Sequence, residues 1–229
     1  MTRPDIHQQI VQLTSPHTHR EPYEVDENGI KYTADHVTLV KALIDQLDNY
    51  TSSSKGDAGT GTFESRPAAS VEALDVLIAI DDEAARWIKK LGQDDHGSTK
   101  DVVRRVASLR PSLDWCGTAR ATKDETGKKI VCCTRHKLDQ SIRSWHTRAT
   151  IATGWAGRAF APNNTCPTIE CGQRRTLRIA VEEETAFCTA CHSTWGGDST
   201  NPITTLAECI RKENGEELEP EQPIEGDAA

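Results

Sequence analysis

Between residues 71 and 91 the chain reads VEALDVLIAIDDEAARWIKKL, with apolar side chains returning every three or four positions. That period predicts a long amphipathic helix whose inward stripe is Leu74, Leu77, Ile78, Ala85, Ile88 and Leu91. Ser70 is its expected N-cap, Glu72 suits its first turn, and Gly92 sits where a helix would end. The same period puts Val37, Val40, Leu43, Ile44 and Leu47 on one face, predicting a helix from His36 to about Tyr50. Ser98 or Thr99 should cap another, running through Leu109 with Val102, Val103, Val106 and Leu109 inward, before Pro111 stops it. A further helix is expected from about Thr134 to Thr153, burying Leu138, Ile142, Trp145, Ala149 and Ala152. A last, short one is expected in TTLAECIRK, with Cys209 packed against what precedes it.

Elsewhere the pattern changes. Residues 1–35 read as mostly extended, with a small hairpin turning at Glu27-Asn28-Gly29. RTLRIAV alternates, Leu177, Ile179 and Val181 facing one way, and EEET can return the chain to AFC as a second hairpin. The segment 51–67 is rich in Gly, Ser and Thr and reads as a flexible linker; its glycines lack the Gly-Lys-Ser/Thr ending of a phosphate loop. Residues 117–131 carry a DETG turn and read as a hairpin insertion. Asp81, Asp82 and Glu83 point in different directions around a helix and read as a solvated face with Arg86 as partner. The expected fold is mainly α: an extended N-terminal segment plus helix (1–50), the linker (51–67), a small helical domain (68–160), a β-hairpin flanked by two close cysteine pairs, the pattern of a zinc ribbon, with a C-terminal helix (161–213), and a disordered acidic tail (214–229).

Composition sharpens the functional question. The net charge of −8 hides a strong asymmetry. Residues 1–99 carry 9 basic and 17 acidic side chains, residues 100–178 carry 16 and 6, and residues 179–229 carry 2 and 12. A basic centre between acidic ends suggests an anionic partner. The N-terminus lacks the apolar core of a signal peptide and no run approaches membrane-spanning length, so a soluble protein of a reducing cytosol is expected. In that compartment clustered cysteines bind metal more often than they form disulfides.

Four of the eight cysteines fall in two close pairs, Cys166 with Cys171 and Cys188 with Cys191, on either side of the second hairpin. Zn²⁺ takes four soft donors in a tetrahedron, and two chelating turns supply them. The alternatives are two disulfides, or a redox role for Cys188-Thr189-Ala190-Cys191, which would require a βαβ setting that a hairpin does not provide. Four thiolates close the coordination shell, so the expected zinc is structural. Cys116, Cys132, Cys133 and His136 flank the insertion and form a possible second metal site, against the plainer reading of buried small apolar groups beside a surface histidine. His17 and His19 read as polar loop residues.

PHTHREPY, FESRPAASVEALDVLIAIDDEAARW, ATGW and a ribbon ending in a tryptophan together resemble uncharacterised proteins encoded by actinobacterial tailed phages and prophages. The resemblance implies a phage gene acting in the bacterial host's cytoplasm and brings no catalytic residues. The longer first cysteine spacing and the cysteine-flanked insertion at 116–133 depart from that pattern. No nucleophile–base pair or cofactor loop marks an enzyme. Two function classes remain. The first is nucleic-acid binding, with DNA or RNA held through phosphates by Arg135, Arg143, Arg148, Arg174, Arg175 and Arg178 on one surface. The second is an adaptor for a phage or host protein, in virion assembly or host takeover, with the ribbon as a rigid knob.

Overall fold

The computed structural model describes residues 5–27, 30–51, 71–117, 133–156, 159–197 and 199–215. Most of the linker, the insertion and the acidic tail lie outside the described residues, as do Ser70 and Cys132. Within them the fold is mixed, with six α-helices and two small antiparallel sheets. The helices are α1 (Ile6–Thr14), α2 (Leu43–Thr51), α3 (Val71–Lys90), α4 (Thr99–Leu109), α5 (Thr134–Ala152) and α6 (Ile203–Asn214). One sheet pairs β1 (His17–Glu27) with β2 (Ile30–Val40); the other has the order β3 (Leu177–Ala180), β4 (Thr185–Cys188), β5 (Thr194–Gly196).

The N-terminal segment departs most from its sequence pattern. Residues expected to be extended begin with α1, which Asp5 starts through a capping box: its carboxylate accepts from Gln8 N at 2.8 Å while Asp5 N donates to Gln8 Oε1 at 3.0 Å. The hairpin that follows is long, and β2 runs through Val40, so α2 starts at Leu43 and not at His36. Pairing with β1 overrides the helical period there. Val40, Leu43, Ile44 and Leu47 are nevertheless all buried, because the root of the hairpin and α2 both enter the core.

Helix α3 has the expected length but a rotated inward face. Ala73, Val76, Ala79, Ile80, Ala84 and Ile88 point inward, whereas Leu74 and Ile78 stand exposed at 40% and 51%. Three of the inward residues are alanines, which let α2, α4 and α5 approach closely, and a reading weighted by side-chain size passes over them. Helix α4 begins where expected, Ser98 and Asp101 forming a reciprocal cap, and Val102, Val103 and Val106 are buried. Helix α5 lies at the centre, burying Leu138, Ile142, Trp145 and Ala149 against α1, α2 and α3. Its Asp139 is buried and ion-paired with Arg110, whose Nη2 donates at 2.9 Å; that hydrogen bond raises the Arg110 pKa further. One apolar core joins α1 through α5, and Ala180 and Phe187 of the second sheet belong to it. None of the helices among the described residues is long and apolar enough to cross a membrane.

Candidate metal centre

Each cysteine pair sits on a tight backbone turn. In the first, Cys171 N donates to Thr168 O at 2.9 Å and Cys166 N to Gln173 O at 2.9 Å. In the second, Cys188 N donates to Ser193 O and His192 N to Cys188 O, both at 2.9 Å. The residue after the later cysteine is left-handed in both turns, Gly172 at φ 57° and His192 at φ 58°. The sheet expected as a two-stranded hairpin has β5 as a third strand, and it faces Cys188 against Leu177 across β3–β4. Leu177, Ala186, Trp195 and Leu206 form a small apolar cluster with Cys166 and Cys188, so α6 lids the sheet.

These turns bring the four sulfurs together, all within 4.8 Å of one another. Cys166 Sγ lies 3.8 Å from Cys191 Sγ, and Cys171 Sγ lies 3.8 Å from Cys188 Sγ. Four thiolates at about 2.3 Å from one ion stand about 3.8 Å apart along the edges of a tetrahedron, whereas a disulfide needs about 2.0 Å. The donors therefore fit a metal ion, and the cysteines are free thiols. Burial pushes the Cys166 thiol up to about 12 and raises Cys171. Burial acts the same way on Cys191, but hydrogen bonds from the Ser193 hydroxyl and backbone outweigh it and bring that thiol to about 7. An ion held by these sulfurs would displace their protons, above all that of Cys166. Thr176 Oγ1 at 3.2 Å from Cys188 Sγ and Ser193 Oγ at 3.3 Å from Cys191 Sγ are placed to steady the thiolates.

Sequence reasoning missed the residue that braces this centre from outside. Glu213, in the last turn of α6, accepts from Thr165 N, Thr165 Oγ1 and Arg174 Nη2, each at 2.8 Å, beside the first cysteine turn. Those bonds, the Thr165 amide foremost, hold its carboxyl down at about 2. Nothing in the local pattern marks Glu213, because the contact forms only when α6 folds back.

The six arginines expected on one phosphate-binding surface are engaged in different ways within the chain. Arg148 is fully buried and paired with Glu83 at 2.9 Å, because α5 turns it towards α3. Arg178 is paired with Glu72 of α3 at 2.8 Å and Arg174 with Glu213, both acids close enough to neutralise them. Arg175 is exposed and donates to Asn163 Oδ1 at 2.8 Å; Arg135 lies 5.2 Å over the Trp115 ring; Arg143 is partly buried beside His146. Glu83 is correspondingly no solvated carboxylate. His19 also leaves its expected loop role, resting edge-on against Trp155 with centroids 4.7 Å apart.

Residues 2–120 match the model of a domain of unknown function (DUF7341). The chain belongs to that family. No curated protein and no solved structure matches it. The DUF7341 segment comprises α1–α4 and extends just past Cys116; α5 and the whole four-cysteine centre lie beyond it. Cys116, Cys133 and His136 form a second convergence across that boundary, their donor atoms within 4.8 Å of one another, while Cys132 lies outside the described residues.

Proposed function

We propose that this DUF7341 chain is a protein-interaction adaptor, in which zinc held by Cys166, Cys171, Cys188 and Cys191 makes a rigid ribbon that a partner protein docks against. Zinc suits four thiolates at tetrahedral spacing, and elemental analysis separates it from iron, which accepts the same donors. The observation that carries the reading is Ile169. It sits between the first two cysteines and is wholly exposed, a large apolar side chain on a turn that the metal would hold rigid. Val181, just after β3, and Phe160, whose backbone pairs with that of Ile179, are further exposed apolar residues of the ribbon. A preordered apolar anchor loses little entropy on docking, which is what an interface hot spot requires. The resemblance to tailed-phage proteins suggests virion assembly or host takeover as the setting.

A second reading, nucleic-acid binding, is favoured by Arg135 over the half-exposed Trp115, an arginine–aromatic pair of the kind on which unpaired bases stack. Against it, three of the six arginines are already buried or ion-paired within the chain. One experiment separates the two: affinity capture with the tagged chain from infected-host lysate, with and without nuclease, beside anisotropy titrations on random DNA and RNA. The adaptor reading expects a partner that survives nuclease and is lost with Ile169→Asp. Steeply salt-dependent binding to random sequence, with capture abolished by nuclease, would replace it with the nucleic-acid reading.

A further inference from the structure

The described end of α4's trailing segment returns to the first turn of α5, and there Cys116, Cys133 and His136 converge. Their sulfur and imidazole donors all lie within 4.8 Å of one another, and Cys116 Sγ is 3.5 Å from His136 Nδ1. A thiolate at about 2.3 Å and an imidazole nitrogen at about 2.05 Å from one tetrahedral ion stand about 3.6 Å apart. We propose that these three residues form a second metal site, independent of the four-cysteine centre, that takes a thiophilic divalent cation such as zinc.

Three further observations support it. The approach to Cys116 is fixed to α5 by two amide hydrogen bonds: the Asp114 side-chain Oδ2 accepts from Thr134 N at 3.3 Å, and the Asp114 carbonyl accepts from Arg135 N at 3.4 Å. Cys116 is therefore delivered to the helix start by the fold and not by chance proximity. Cys133 occupies the N-cap position of α5 yet makes no side-chain cap bond, and it is buried beside Cys116 and His136. Finally, Cys116 is followed by Gly117 at φ 79°, the same cysteine–left-handed-glycine step that Cys171 and Gly172 make at φ 57° in the first centre.

Two thiolates and a neutral imidazole give three donors, and binding releases the two thiol protons. The fourth position falls to water. The site would clasp Cys116 to the start of α5, beside the two Asp114 bonds.

The test uses the full chain, purified and reconstituted with Zn²⁺ or Co²⁺ under anaerobic reducing conditions. Elemental analysis should find one equivalent of metal more in the wild type than in Cys116→Ser or in His136→Ala, whether or not the other centre is filled. The two variants should also alter the cobalt d–d bands in the same way while the helical circular dichroism stays intact. Should either variant fail to fold, alkylation of the wild type followed by peptide mapping gives the same answer. Exposed Cys116 should react at least roughly tenfold more slowly after Zn²⁺ loading, since a ligated thiolate is no longer a free nucleophile. Equal metal content in wild type and folded variants overturns the proposal, as does unchanged Cys116 alkylation or a Cys116–Cys133 disulfide under reducing conditions. A thiol–imidazole hydrogen bond alone would then account for the contact.

Discussion

Glu83 sets one carboxylate oxygen against two donors, Trp145 Nε1 at 2.7 Å and Arg148 Nη2 at 2.9 Å, joining α3 to the centre of α5. Arg148 has no exposed side-chain surface, so its charge depends on this partner. Replacing Glu83 by Ala should cost about 3–5 kcal/mol, because it strands a buried guanidinium and an indole N–H together. Urea unfolding measures the loss, and Glu83→Leu with Arg148→Met should recover much of it. His146 offers a different residue-scale test. It contacts Gln12 Oε1 at 2.6 Å across α1 and α5, and burial, reinforced by the nearby His17, holds its pKa down at about 4. In the unfolded chain it titrates near its ordinary value of about 6.5. Between those values the unfolded state binds a proton that the folded state refuses, so this contribution is complete above about pH 6.5 and drains away towards pH 4. The melting temperature of the wild type should therefore fall more between pH 7.5 and pH 5 than that of His146→Gln.

At the scale of elements, the second sheet is more firmly tied to the helices than a separate ribbon would be. Phe187 and Ala180 lie in the main core, and Arg178 reaches Glu72 of α3. Cys188→Ser should lower metal content by one equivalent and loosen the sheet. It should also reduce the cooperativity of helical unfolding, which thermal circular dichroism with and without a chelator would show. If the helices melt unchanged, the sheet is only a passenger. Gly196 shows how closely the sheet is built: at φ 74°, an added Cβ would run into the Glu184 carbonyl across the turn. The two cysteine turns were legible because each carries its pair of cysteines at a short spacing on either side of a hairpin. Strand β5 was not, since three residues are too few to show an alternation, and the Glu213 brace was not, since Thr165 and Arg174 are distant from it in sequence.

At the scale of the whole molecule, the family match and the folding unit do not coincide. The DUF7341 segment ends near residue 120, yet Leu138, Ile142, Trp145 and Ala149 of α5 are fully buried against α1, α2 and α3. A fragment ending at 120 would expose the faces that α5 covers and lose the partner of Glu83. It should give poorly dispersed amide NMR signals and a non-cooperative melt, whereas a chain ending at Gly215 should unfold cooperatively. A well-dispersed spectrum from the short fragment would mean that α5 is an addition to a core complete without it.

The sequence by itself determined the features that local chemistry dictates. Helices α4 and α5 follow from an unbroken apolar period; the start of α4 follows from its Ser98 cap. The four cysteines that converge, Cys166, Cys171, Cys188 and Cys191, are marked by their spacing alone. Tertiary structure decided the rest. The inward face of α3 was set by which side chains are small enough for neighbouring helices to approach, and not by which are most apolar. The path of residues 30–40 was set by a strand partner that outweighed a helical period. The arginines took their roles from whichever acids the folded chain brought within reach: Glu83, Glu72 and Glu213. A charge pattern gives the sum of the charges, but only the fold decides which of them are left to face a partner.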